Sequence, residues 1–181
     1  MTNSDKNMHL YDVAHKNIQQ AIHIVSLIPN EVYSRQSVVM PMSTIGKHVR
    51  HSYDHFIQLL KQARHDKWNI DYDARVRNTQ MEIDRNLAIQ ELKTLQKALL
   101  EMRDIPLEYP VTLSANIDSN DPSHYPFVSS FGRELWYCCI HAVHHFASIK
   151  AICIESNVQL PEDFGVAPST LTDRQQHQHH N

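Results

Sequence analysis

Apolar residues recur at three- and four-residue steps in four separate stretches of the chain, which is the period of an amphipathic α-helix. The first stretch is Leu10, Ala14, Ile18, Ala21, Val25 and Ile28, stopped by Pro29-Asn30. A second follows Pro41, with Ser43 or Thr44 as its N-cap and Ile45, Val49, Phe56, Leu60 and Ala63 as its apolar face. Thr79-Gln-Met-Glu82 reads as a capping box that opens the third, whose stripe is Ile83, Leu87, Ala88, Leu92, Leu95, Leu99 and Met102. The fourth starts at Ser129 or Ser130 and runs to about Ser156. From Leu135 to Ile149 it holds no Asp, Glu, Lys or Arg, so it reads as a helix buried nearly all round.

Between the third and fourth patterns lies Pro106 to Val128, punctuated by Pro106, Pro110, Pro122 and Pro126. Val111-Thr-Leu-Ser and Pro126-Phe-Val-Ser suit a short hairpin or an ordered crossover in a long connection. Pro161 to Leu171 is expected to pack back through Phe164 and Val166, whereas Thr172 to Asn181 is polar and expected to be disordered. These elements predict an all-α four-helix bundle over residues 1–171, followed by a histidine-rich tail over 172–181.

Composition narrows this reading only slightly. The 181 residues are 41% hydrophobic and 20% charged with a formal net charge of −3, which offers no basic excess for nucleic acid. Only 3 glycines disfavour a turn-rich β architecture. The 3 cysteines are an odd number, two of them adjacent at Cys138-Cys139, and read as reduced core thiols. The opening residues show no signal-peptide pattern, and no apolar run of membrane-spanning length is free of histidines. The expectation is a cytoplasmic protein with neither a nucleic-acid nor a membrane partner.

Candidate chemistry lies in the 14 histidines. There is no His-Glu-x-x-His, no Glu-x-x-His and no Cys-x-x-Cys, and Gly46, Gly132 and Gly165 cannot form a phosphate loop. His141 and His145 are four apart, which stacks them on one helical face about 6 Å apart. His144 is the alternative to His145. The second helix offers His48, His51 and His55 as a third ligand: His48 and His55 flank its apolar face, and His51 points farther away. His9, His15, His23, His65 and His124 read as solvated, and His177, His179 and His180 belong to the tail.

Glu134 lies along the same stripe as His141, as an acceptor behind a ligand, as a general base or, the favoured reading, as a helix N-terminal acid paired with Arg133. Asp54 is a lesser candidate for orienting or joining the ligands. Arg75 and Arg77 offer a clamp for an acidic substrate, against pairing with Asp71, Asp73 or Glu82. Tyr53, Trp136, Tyr137 and Phe146 read as core.

Thr44-Ile-Gly-Lys-His-Val-Arg-His51 resembles the second-helix motif of the DinB/YfiT-like superfamily, and His141-Ala-Val-His-His145 resembles its last-helix His-x-x-x-His. Asp71-Tyr-Asp-x-Arg-x-Arg77 resembles a connector in some members. The resemblance implies an up-down-down-up four-helix bundle with a divalent metal (Zn, Ni, Mn or Fe) on His51, His141 and His145. It further implies an open coordination position and a low-molecular-weight thiol or other small molecule as partner. A metal-dependent thiol transferase or isomerase is one functional class that follows; a non-catalytic, metal-stabilised interaction bundle is the other. Bundles of this kind often pair, so a homodimer is compatible. Phe146-Ala-Ser148 stands where many members have Arg-Gly-Gln.

Overall fold

A computed structural model describes residues 3–64, 68–74 and 76–178; His65, Arg75, His179 and His180 lie outside the described residues. Helix α1 spans Asn3–Leu27 and stops before Pro29, and the one-turn helix α2 spans Asn30–Tyr33. Helix α3 covers Ile45–Arg64. Its N-cap is Thr44, whose Oγ1 accepts from the Lys47 amide at 3.1 Å. Helix α4 covers Arg85–Glu101, α5 covers Phe131–Glu155 and α6 covers Pro168–Gln178.

Two of these boundaries correct the sequence reading. Thr79 opens only a 3-10 turn, Gln80–Glu82, and makes no side-chain cap bond. Asp84 caps α4 instead, accepting from the amides of Asn86 at 2.9 Å and Leu87 at 3.0 Å. The segment expected to be disordered is helical as far as Gln178, although from Thr172 to His177 its side chains lie in solvent.

The all-α four-helix-bundle expectation fails. Strands β1 (Asn69–Ile70), β2 (Pro110–Asp118) and β3 (Asp121–Ser130) form a mixed sheet in the order β1-β2-β3, with β1 parallel and β3 antiparallel to β2. The prolines that made this region look like a connection do not interrupt it, because Pro110 starts β2 and Pro122 and Pro126 sit on the outermost strand. An edge strand leaves one row of amides unpaired, so a missing N–H there costs no ladder bond. The hairpin closes through Asp118, whose carboxylate accepts from the Asn120 amide at 2.9 Å.

Helix α1 packs on α4 and α5, while α3 packs on α5 and α4. Tyr11, Tyr33, Phe131, Phe146 and Phe164 are fully buried between them. Tyr33 satisfies its hydroxyl on the Met81 carbonyl at 2.9 Å, and Phe164 lies 5.0 Å from Phe146 in a stacked pair. Gly165 makes that return possible with a φ of 71° and a backbone close against Ala147. Among the described residues, α5 is the one helix long and apolar enough to cross a membrane by length and composition; here it packs against α1 and α3.

A buried ion network ties the 3-10 turn to α3. Arg50 donates to Glu82 at 3.0 Å and to Asp54 at 2.6 Å, and Glu82 also accepts from the Asn78 amide at 2.9 Å. The turn comes so close to α3 that a Cβ on Gly46 would collide with the Glu82 carbonyl group and lie 2.9 Å from the Tyr33 ring. Gly46→Ala gains about 1 kcal/mol of helix propensity. Overpacking of about 1–3 kcal/mol outweighs that gain, because the clash is with backbone rather than a flexible side-chain end. Urea unfolding followed by circular dichroism should show G46A less stable than wild type.

Candidate metal centre

Helices α3 and α5 face each other with imidazoles between them. One ring nitrogen from each of His51, His141 and His145 lies within 4.8 Å of the others, and all three residues are half-buried. Nε2 of His145 is 3.1 Å from Nε2 of His141. The His51 ring centre lies 5.0 Å from that of His141 and 4.6 Å from that of His145. The four-residue spacing on α5 and the packing of α3 across it thus bring together the three residues named from sequence. His144 turns away into solvent, its ring 5.6 Å from His145.

The other α3 histidines occupy supporting positions. His48 is buried, with Nδ1 hydrogen-bonded to Nδ1 of His145 at 2.7 Å and Nε2 to the Ser43 hydroxyl at 2.7 Å. This chain fixes tautomers. If His145 presents an Nε2 lone pair, its Nδ1–H donates to His48, and His48 then donates from Nε2 to Ser43. His55 donates from Nδ1 to the His51 carbonyl at 3.0 Å, and its ring lies 4.0 Å from that of His141. Tyr72 stacks on the other side of His55, 4.8 Å away and 16° from parallel.

Glu134 is fully buried and does not reach the histidines directly. Its carboxylate accepts from Tyr72 at 2.9 Å, Ser129 at 2.6 Å and Arg133 at 2.7 Å. It therefore holds Tyr72 against His55, a role that combines the pairing with Arg133 and support of the site. Asp54 pairs with Arg50, and Glu82, a candidate partner of Arg77, is likewise taken by Arg50. His124 is not simply solvated: it faces the Asp71 carboxylate at 3.6 Å. Burial raises the thiols of Cys138, Cys139 (to about 12) and Cys153 (to about 11), so all three stay protonated and weakly nucleophilic.

A cleft of about 420 Å³ opens beside the cluster, walled by His51, His55 and His141 on the helices and by Leu113 to Ala115 on β2. Tyr72, Asp73, Arg133 and Tyr137 complete it, with the Arg133 guanidinium carbon 5.3 Å from the Tyr137 ring centre. Tyr137 is thus a wall residue rather than core, and Trp136, also expected in the core, is 51% exposed. Ser43, Tyr72 and the β2 wall were not legible as site residues, because their proximity depends on pairing between distant segments.

No family model and no solved structure matches the chain. It is 43% identical over 156 residues to a curated protein named FK506-binding protein 5, from Rhizopus delemar. The match covers 85% of this chain but 35% of the relative, so the chain spans about a third of that protein's length. The relative carries the name of an FK506-binding protein and not of a DinB/YfiT-like one, and this likeness corrects that resemblance. The functions drawn from it, a metal-dependent thiol transferase or isomerase and a metal-stabilised interaction bundle, are withdrawn with it. The histidine cluster rests on this chain's own geometry.

Burial, and then the neighbouring His51, hold the His145 pKa down to about 2. Unfolded, the same imidazole takes a proton below about 6.5. The stability contributed by neutral His145 is therefore present above pH 6.5 and is lost as pH falls from there toward 2. In metal-free protein, the urea midpoint should fall further between pH 7.5 and 5 for wild type than for His145→Leu. Equal falls would show that His145 is not held neutral.

Proposed function

We propose that this chain is a small-molecule-binding domain whose site is a divalent-metal centre on His51, His141 and His145, open to the adjoining cleft. The observation that carries this reading is the convergence of three imidazole nitrogens, two of them 3.1 Å apart. Metal–nitrogen bonds of about 2.0–2.1 Å place neighbouring ligand nitrogens roughly 2.8–3.4 Å apart in octahedral or tetrahedral geometry. The pair on α5 already falls in that range, and a His51 nitrogen lies within 4.8 Å of both. Imidazole donors suit Zn, Ni or Fe, with Mn a weaker fit. Three protein ligands leave positions for water or a ligand donor. When bound, the metal would act as a Lewis acid toward whatever occupies them.

The residues around the centre have separate tasks. His48 and Ser43 hold the His145 ring so that Nε2 faces inward, and His55, stacked on Tyr72, shields the cluster from one side. The 181-residue protein carrying His177→Ser, His179→Ser and His180→Ser removes adventitious tail binding. It should hold one equivalent of zinc by elemental analysis, and His51→Ala, His141→Ala or His145→Ala should each abolish this while His144→Ala does not. His48→Leu should weaken binding by about 10- to 100-fold, and His48→Gln, which can still accept from His145 and donate to Ser43, should largely restore it. Absence of stoichiometric metal in the tail variant would sink the reading.

A second reading rests on the named relative. It takes the matched third of FK506-binding protein 5 as the part that binds FK506, so that this chain binds it as well. Titrating FK506 into metal-free and zinc-loaded protein, followed by intrinsic tryptophan fluorescence, tests it directly. Saturable binding independent of metal supports this second reading, and no binding in either form removes it.

A further inference from the structure

Beside the histidine cleft lies a second, larger hollow of about 640 Å³, and the two share Leu113 and Arg133 as walls. Taken together, the two adjoining hollows make a trough, with imidazoles lining the first and Phe127 and Val128 of β3 lining the second. The register pairs Leu113 with Phe127 and Ala115 with Tyr125. Alternate residues along a strand share a face, so these four apolar side chains lie on the same side of the sheet. Among the described residues nothing covers this face fully: Phe127 is 44% and Tyr125 40% exposed. Two exposed aromatics on one face, continuous with a site, mark a binding surface rather than scattered surface apolar residues.

Charge sets the polarity of the occupant. A divalent ion on three neutral imidazoles attracts an anion, whereas Arg133, where the two hollows meet, is paired with the buried Glu134 at 2.7 Å and offers N–H donors rather than net charge. Asp73 also lines the histidine end, which disfavours a polyanion. Building on the metal reading above, we propose that the trough binds small singly charged amphiphiles. The anionic, metal-coordinating head sits at His51 and His141, and an apolar chain runs past Tyr137 and Arg133 onto the Leu113–Phe127 face.

Straight-chain hydroxamates, which chelate divalent metals, supply the probe. The zinc-loaded 181-residue protein is titrated calorimetrically with aceto-, butano-, hexano- and octanohydroxamate. Complete burial gives about fourfold tighter binding per methylene, and a face open on one side about half that gain, or roughly twofold per methylene. Phe127→Ser and Tyr125→Ser remove exposed side chains, so both variants should fold. Each should flatten the chain-length dependence while leaving acetohydroxamate affinity within about twofold of wild type. A flat series in wild type, or a slope unchanged in both variants, with acetohydroxamate still bound, overturns this proposal alone. Failure of acetohydroxamate to bind in a metal-dependent way overturns the metal reading and this proposal together.

Discussion

The packing of α3 against α5 is the constraint on which the rest of the molecule depends. Both helices turn imidazoles toward their shared seam, and buried polar groups are tolerated only when each finds a partner. The seam meets that requirement with a hydrogen-bonded line from Ser43 through His48 and His145 to His141. A small change in the distance or rotation of either helix would break that line. The surrounding structure accordingly anchors both helices. Arg50, on α3, is tied to the 3-10 turn through Glu82, and Gly46 lets that turn approach. Glu134, in the first turn of α5, is fastened to Ser129 at the end of β3 and to Tyr72 beyond β1.

Much of the helical framework was legible because burial imposes a period on the sequence, and four long patterns match α1, α3, α4 and α5. What failed was read from local punctuation. Thr79 has a capping-box neighbour at Glu82, yet that glutamate is drawn to Arg50, and Asp84 takes over the cap. Four prolines suggested a loop, but a proline weakens a strand only where its missing N–H was needed, and β3 is an edge. The hydrogen bonds of a sheet join residues far apart in sequence, so β1 could not be seen beside β2 from the Asn69–Ile70 dipeptide. For the same reason the two His residues on α5 were legible as a pair, while Tyr72 and Ser43 were not.

The family resemblance erred for a related reason. His-x-x-x-His on a helix is the spacing that any helical pair of ligands must adopt, because four residues return to the same face. Unrelated chains meet that demand independently, so the motif reports geometry and says little about ancestry. Identity of 43% across 156 residues reflects many positions with no shared geometric reason to agree, and it carries more weight. It still describes about a third of the relative, and a name given to a whole protein does not say which third earned it.

Electrostatics connects the cluster to its cleft. His48 and His145 are held toward the neutral form, chiefly by burial, so a divalent ion at this seam would arrive largely uncompensated. Of the nearby carboxylates, Glu134 is engaged by Tyr72, Ser129 and Arg133 and Asp54 by Arg50, while Asp73 lines the cleft. A half-buried charge without a counterion is costly, far more so than the same charge in water. Under the metal reading, Asp73 alone would not balance a divalent ion, and hydroxide or the head of a bound ligand would supply the rest. The open side of the cluster leads to such a ligand's path, past Tyr137 and Arg133. Under the proposed reading, the occupant would supply the negative charge that the three imidazoles do not.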